Sequence, residues 1–280
     1  IAGKIIDIVN QDRDDQSDLK IGHVDMRRFI DGEANHRLFG YKKIAGRHAI
    51  FFLTTRTESD ETQLNHFVTA LKYQYGAKSV TVILPFMIYR RQDRIEEHKI
   101  NRNLNFLRHL KGAGADRIVL CDIHSEKTLQ NAEKVGLIPT NVDPTPAYIK
   151  ALTGIMTRAK ESGDRVCVYS PDLGSITRSV TLARELDVPV VLSLKFRDTT
   201  GRSSMLGSKE EDKGLLEKLR QEHDFPDINF SDENIRGSVV IMREDEANTC
   251  GTARETGLYL RRLGAKEIHL CATHAVLSNE

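Results

Sequence analysis

The sequence predicts an α/β protein of two similar domains, each a largely parallel sheet flanked by helices. Three observations predict it. Short, β-branched apolar runs recur along the chain; helix-length amphipathic segments separate them; and one unit, a helix stop followed by a strand, appears three times.

The apolar runs are HAIFFLTT (48–55), SVTVILPF (79–86), RIVLCDIH (117–124), RVCVYSPD (165–172), PVVLSLKF (189–196), SVVIM (238–242) and EIHLCATH (267–274). Each is nearly continuous rather than alternating, which marks strands covered on both faces. The segments 60–77 (DETQLNHFVTALKYQYGA) and 251–265 (GTARETGLYLRRLGA) carry apolar residues three and four apart, as one helix face requires. Strands alternating with helices give parallel sheets with right-handed crossovers. YGAKSVTVILPF, GAGADRIVLCDIH and LGAKEIHLCATH share a helix end, a Gly-Ala step, a charged residue and a strand. The glycines near 76, 114 and 264 act as helix stops, because glycine takes the left-handed C-cap conformation without strain. At 137–150 three prolines and two Asx residues interrupt the pattern, which places a boundary between domains 1–142 and 143–280. The polar, aperiodic segment 197–214 is expected to be a mobile loop.

Composition narrows the function. The 280 residues suffice for two ordinary domains. The 41 Lys and Arg against 40 Asp and Glu leave a formal charge of +1, so no global basic field exists to hold nucleic acid or an anionic membrane. No window approaches ~18 uninterrupted apolar residues, and the N-terminus lacks a signal-peptide layout, so a cytoplasmic protein is expected. Cys121, Cys167, Cys250 and Cys271 stand singly, with no CxxC pair, which suggests buried thiols.

Chemistry concentrates in VVIMREDEANTCGTA (239–253). The apolar run is expected to stop at Met242; Glu244 and Asp245 follow, and Thr249, Cys250, Gly251 and Thr252 form a tight turn before a helix. A strand, a small-residue turn and a helix N-terminus offer backbone N–H groups to a phosphate. Thr249 and Thr252 add hydroxyls, and Gly251 lets the backbone approach the anion. Glu244 and Asp245 would repel phosphate; they suit vicinal ribose hydroxyls or a divalent cation. The plain alternative is a helix capped after a polar turn. In RRFIDGEANHR, Phe29 suits a purine face, while Asp31 and Glu33 suit an exocyclic amine or a ribose hydroxyl, or form only a solvated acidic turn. PFMIYRRQDR sets Arg90, Arg91 and Arg94 close behind a strand end, as a polyphosphate clamp needs, or forms only a solvated charge run. CDIHS is expected to place Asp122 and His124 on one face of a strand end. With Asp172 at the end of another strand, either a Mg2+ site or a structural histidine fits.

The pattern of two acids, a spacer and T-x-G-T resembles the phosphoribosyl-diphosphate-binding motif of type I phosphoribosyltransferases and ribose-phosphate pyrophosphokinases. The rest of the chain is similar to the second family. FIDGE resembles its F-x-D-G-E, PFMIYRRQDR its P-Y-x-x-Y-x-R-Q-D-R, GAGADRIVLCDIH its A-G-A-D-x-V-x-x-x-D-L-H, SPDLGSITR its S-P-D-x-G-x-x-x-R, and CATHAVLS its A-T-H-x-x-L-S. The resemblance implies type I phosphoribosyltransferase-like domains and Mg2+-dependent transfer of the β,γ-diphosphate of ATP to the C1 hydroxyl of a 5-phosphoribosyl acceptor, releasing AMP. It implies that Phe29, Asp31, Glu33, Arg91 and Gln92 hold ATP, and that Glu244, Asp245, Asn248, Thr249, Cys250, Gly251 and Thr252 hold the acceptor. It marks His124 and Asp172 as metal-linked. Lys195 and Arg197 match the first and third members of a Lys-Arg-Arg run that opens the family's catalytic loop, with Phe196 between them. The expected partners are ATP and a 5-phosphoribosyl small molecule, with no nucleic acid or membrane, and a homo-oligomer of two or more chains is expected.

The sequence departs from the family in several places. Arg243 stands where the family has an apolar residue, Glu244 replaces the first Asp, and Asn248 replaces the Asp before the Thr. IEEHKINRN follows RQDR without the family's R-E-P-I, and the chain stops earlier than relatives usually do, which leaves open whether a final strand or helix follows. Ribose 5-phosphate is the expected acceptor. The alternative is a larger one such as ADP-ribose, with Arg243 and Asn248 accommodating it. A phosphoribosyltransferase would have no use for RRQDR and FIDGE. A non-catalytic regulatory homologue would not need Lys195, Arg197, His124 and Asp172.

Overall fold

A computed structural model describes residues 22–39, 44–94, 98–192, 194–197, 203–206, 213–230 and 234–278. The chain divides into two compact units, Ile1–Val142 and Asp143–Glu280. No described helix is long and apolar enough to cross a membrane.

In the first unit an antiparallel hairpin, β1 (His23–Arg28) and β2 (Ala34–Phe39), precedes the sheet. Strands β3 (His48–Phe52), β4 (Ser79–Leu84), β5 (Arg117–Cys121) and β6 (Ile138–Val142) then pair in parallel, in that spatial order. The crossovers are α1 (Glu58–Thr69), α2 (Arg102–Gly112) and α3 (Lys127–Lys134). A capping box starts α1: the Thr57 side chain accepts from the Asp60 N–H, and the Asp60 carboxylate accepts from the Thr57 N–H at 2.8 Å. The alternate residues Val80, Val82 and Leu84 of β4 are fully buried among Leu64 and Val68 of α1 and Leu107 and Leu110 of α2. His36 of the hairpin stacks on Phe67 of α1 at 5.1 Å between centroids. Burial, reinforced by His66 and Arg28, lowers its pKa from the usual histidine value.

The second unit contains α4 (Thr145–Ser162), β7 (Val166–Ser170), α5 (Ile176–Leu186), β8 (Val190–Leu192), β9 (Leu194–Arg197), β10 (Ser203–Leu206), α6 (Lys213–Glu222), β11 (Ile228–Asn229), β12 (Val239–Ala247), α7 (Gly251–Arg262) and β13 (Glu267–Ala275). Its five-stranded sheet runs β11-β8-β7-β12-β13, with every pairing parallel. Leu152 of α4 and Val180 of α5 pack with Ile241 on one face; Leu260 of α7 packs with Val240 and Met242 on the other. Two parallel sheets flanked by helices are thus the architecture that the apolar runs predict.

The three expected helix stops take the left-handed conformation, with φ of 71° at Gly76, 106° at Gly114 and 88° at Gly264. Three details differ from the sequence reading. The segment with three prolines contains β6, an edge strand that accepts Pro139 because only β5 pairs with it among the described residues. In the expected mobile loop 197–214, Arg197 and Ser203–Leu206 are paired in the β9–β10 antiparallel hairpin and residues 213–214 open α6; the others lie outside the described residues. Strand β12 does not stop at Met242 but continues through Ala247, because β13 extends beside it to Ala275.

Candidate active site

Parallel pairing sends the carboxyl ends of all strands in a sheet to one edge, where ligands of open α/β folds bind. In the second unit that edge carries Asp172 after β7, Lys195 and Arg197 on the strand just after β8, the 248–250 turn after β12, and residues 276–278 after β13. The side chains of Lys195 and Arg197 lie outside the described residues.

The acidic pair lies inside β12. Successive side chains of a strand leave opposite faces. Asp245 is buried on the face of α4 and α5, with its Oδ2 4.0 Å from Nη2 of Arg178 in α5; Glu244 faces the other way and is half-exposed. Arg243, on the Asp245 side, is 1% exposed. Its guanidinium stacks over Tyr148 of α4 at 4.7 Å, and the Tyr148 hydroxyl pairs with Thr273 Oγ1 at 2.6 Å. The expectation that Arg243 lines a larger acceptor pocket is therefore corrected, because its charge is packed beneath the sheet.

The turn is strained at Cys250 and not at the glycine. Cys250 has φ 59° and ψ 12°, a left-handed conformation that costs an ordinary residue roughly 1–2 kcal/mol. Gly251 begins α7 without positive φ, and a Cβ there would meet Thr249 Oγ1 at an ordinary 3.6 Å. The N-cap residue Cys250 makes no side-chain cap, but Thr249 Oγ1 accepts from the Gly251 N–H at 3.4 Å; Thr249 and Thr252 are exposed beside the first turn of α7. The Asn248 Oδ1 accepts a hydrogen bond from the Ser278 hydroxyl, tying this turn to the CATHAVLS segment. Asp172 uses Oδ1 to cap the Ser175 N–H at 2.9 Å and is exposed.

In the first unit the corresponding edge carries residues 86–94 after β4 and 122–125 after β5. The hairpin tip joins it: Arg28 donates to Ser59 Oγ in the first turn of α1 at 3.3 Å and to the Gly32 carbonyl at 2.8 Å. Sequence reasoning passed over Arg28, whose only signal was its place next to Phe29. At the tip Phe29 is 53% exposed, and the Asp31 carboxylate accepts from the Glu33 N–H at 3.0 Å. Two expectations for this edge are corrected. Arg90 is buried and donates to the Asp122 carbonyl at 2.7 Å, so the exposed cations of RRQDR are Arg91 and Arg94. Asp122 leaves the strand with φ 48° and is buried while His124 is exposed, so strand alternation does not put the two on one face. Among the described residues, no group of three or more His, Cys, Asp or Glu could hold a metal.

Tyr89, Asp122 and Cys250 are all non-glycine residues with positive φ in loops at strand carboxyl ends. Strain held at such loops, beside exposed basic and hydroxyl side chains at the carboxyl ends of parallel strands, is an arrangement that suits an anionic ligand. Comparison with known proteins is more specific. The family described as the N-terminal domain of ribose phosphate pyrophosphokinase matches residues 4–119. The chain is 28% identical over 264 residues to chloroplastic ribose-phosphate pyrophosphokinase 1 of Arabidopsis thaliana, covering 93% of this chain and 57% of that protein. It is 28% identical over 276 residues to the ribose-phosphate pyrophosphokinase of Fusobacterium nucleatum, covering 95% and 74%. The solved structure of phosphoribosylpyrophosphate synthetase from Mycobacterium smegmatis superposes with a TM-score of 0.71 at 25% identity, covering 94% of this chain and 76% of that one. The chain spans little more than half the length of the plant relatives. The chain is thus a distant relative of the ribose-phosphate pyrophosphokinases over nearly its whole length.

Proposed function

We propose that the protein transfers the β,γ-diphosphate of ATP to the C1 hydroxyl of ribose 5-phosphate and releases AMP. The observation that carries this reading is the end of β12: a strained turn, two exposed threonines and the N-terminus of α7 follow closely on the carboxylates of Glu244 and Asp245. The N–H groups and hydroxyls suit the 5-phosphate, and the carboxylates suit the ribose diol. Glu244, the more accessible acid, is the direct contact; Asp245 is held from beneath by Arg178. Asn248, Thr249, Cys250, Gly251 and Thr252 surround the phosphate.

In the first unit Phe29 would stack on adenine, with Asp31 and Glu33 beside it, and Arg91 and Gln92 would hold the phosphates. The acceptor hydroxyl attacks the β-phosphorus, the bond from that phosphorus to the α,β-bridging oxygen breaks, and AMP leaves with that oxygen. Lys195 and Arg197 neutralise the charge that develops, which is the main demand in phosphoryl-type transfer. The donor set fits a Mg2+ that keeps its waters and arrives on the ATP phosphates, because single exposed groups such as Asp172, with Oδ2 outside its capping bond, and His124 suit water-mediated contact. When bound, the ion would neutralise phosphate charge.

Ribose 5-phosphate is preferred to ADP-ribose. The two residues that argued for the larger acceptor have other engagements, Arg243 with Tyr148 and Asn248 with Ser278. Incubation with Mg·ATP and either acceptor tests the reading: AMP should appear in step with consumption of ribose 5-phosphate, and ADP as the sole nucleotide product would sink it.

A further inference from the structure

We infer that Arg90 and Asp93, the two buried members of RRQDR, are positioning residues that lock this segment to the 122–125 loop and present Arg91, Gln92 and His124 as one preorganised surface. The inference rests on reading that surface as the ATP site. Within the motif, Arg90 and Asp93 are 6% and 5% exposed, while Arg91, Gln92 and Arg94 are exposed. The motif thus separates into two residues that face the protein and three that face outward.

Each buried residue makes one tie across 32 positions of sequence. Arg90 Nη2 donates to the Asp122 carbonyl at 2.7 Å. The Ser125 hydroxyl donates to Asp93 Oδ2, a charge-assisted bond. His124 lies between the two anchored residues Asp122 and Ser125. Side-chain amides secure the other end of Asp93: its carbonyl accepts from Asn101 Nδ2 at 3.1 Å and Asn131 Nδ2 at 3.2 Å. Asn131 also donates to Asn103 Oδ1 at 3.0 Å, and the Asn103 N–H donates to the Gln92 carbonyl at 3.2 Å. Gln92 is therefore fixed through its own backbone, and Asn101 is the N-cap of α2, accepting from the Leu104 N–H at 2.8 Å. Apolar side chains would fill this space without such a network. A polar network tied at these several points fixes one geometry, which positioning of a polyphosphate requires.

The test uses the full chain, with the Kd for Mg·ATP measured by calorimetry and the Tm measured alongside. Ser125→Ala should weaken binding about tenfold, equivalent to about 1.4 kcal/mol. Ser125→Thr restores the hydroxyl and should return Kd to within about twofold of the wild type. Adding Ser125→Ala to Asp93→Ala should cost little beyond Asp93→Ala alone, because both remove the same bond. Normal Mg·ATP binding by Ser125→Ala overturns the inference even if Tm falls, since the tie would then be structural only. A wild-type chain that does not bind Mg·ATP removes the nucleotide-site reading and the inference with it.

Discussion

Asp116 lies in the GAGAD stretch that resembles a ribose-phosphate pyrophosphokinase motif, yet its hydrogen bonds are internal. Its Oδ2 accepts from the Val80 N–H at 2.8 Å and from Lys72 Nζ at 2.9 Å. Gly114 makes room for this lysine, since a Cβ there would meet Lys72 Cγ at 2.7 Å. Asp116→Ala leaves the N–H of the fully buried Val80 without its side-chain acceptor, a loss of about 1–3 kcal/mol. The Lys72 pair adds less than about 1 kcal/mol, because the two side chains are 23% and 34% exposed and solvent screens them. Asp116→Asn keeps an oxygen for Val80 and loses only the charge, so it should cost about 1 kcal/mol or less. Burial pushes the Asp116 carboxyl up, but Lys72 and the Val80 N–H together hold it below its usual value of 3.8. The charge contribution is thus fully present above that value and is lost as pH falls through the lower folded one. Urea unfolding followed by circular dichroism at pH 7 and at decreasing pH measures each difference. Asp116→Asn as costly as Asp116→Ala at pH 7 would refute the assignment of most of the energy to Val80.

Three further outcomes are expected. Cys250→Gly should preserve or raise stability by up to about 1 kcal/mol, and Cys250→Val should lower it by about 1–2 kcal/mol, because only glycine relaxes the left-handed turn; paired thermal melts check this. Burial pushes the Cys167 thiol up to about 12, so alkylation of the folded protein at pH 8, mapped by mass spectrometry, should modify half-buried Cys250 well before Cys167. Lys195→Ala should lower kcat by about 10²-fold or more with little change in Mg·ATP affinity, measured by steady-state kinetics and calorimetry; an unchanged kcat would remove Lys195 from the catalytic residues.

The apolar runs made both sheets legible, since strands covered on both faces cannot hide their composition. The helix stops were legible because glycine alone meets their backbone demand cheaply. Hydropathy fails where hydrogen bonding decides. Strand β12 carries Arg243, Glu244, Asp245 and Glu246 in its ladder because β13 runs beside it, and β6 tolerates Pro139 because an edge need not donate. For the candidate site, motifs identified the strand-end loops, but not which side chains face inward. Arg90 and Arg91 are chemically identical, and it takes partners such as the carbonyl of Asp122, distant in sequence, to separate a buried tie from an exposed cation. Likewise the T-x-G-T pattern drew notice to Gly251, whereas the positive φ belongs to Cys250.

Transfer of the β,γ-diphosphate as a unit is the central claim, and the fate of the β-phosphorus tests it most directly. ATP labelled with 32P at the β position would be incubated with Mg2+, ribose 5-phosphate and the full chain, and the products separated. The account predicts that the label leaves the nucleotide and appears in the diphosphate on C1 of the acceptor, with unlabelled AMP in equal amount. Label retained in ADP, with a single phosphate on the acceptor, would contradict it.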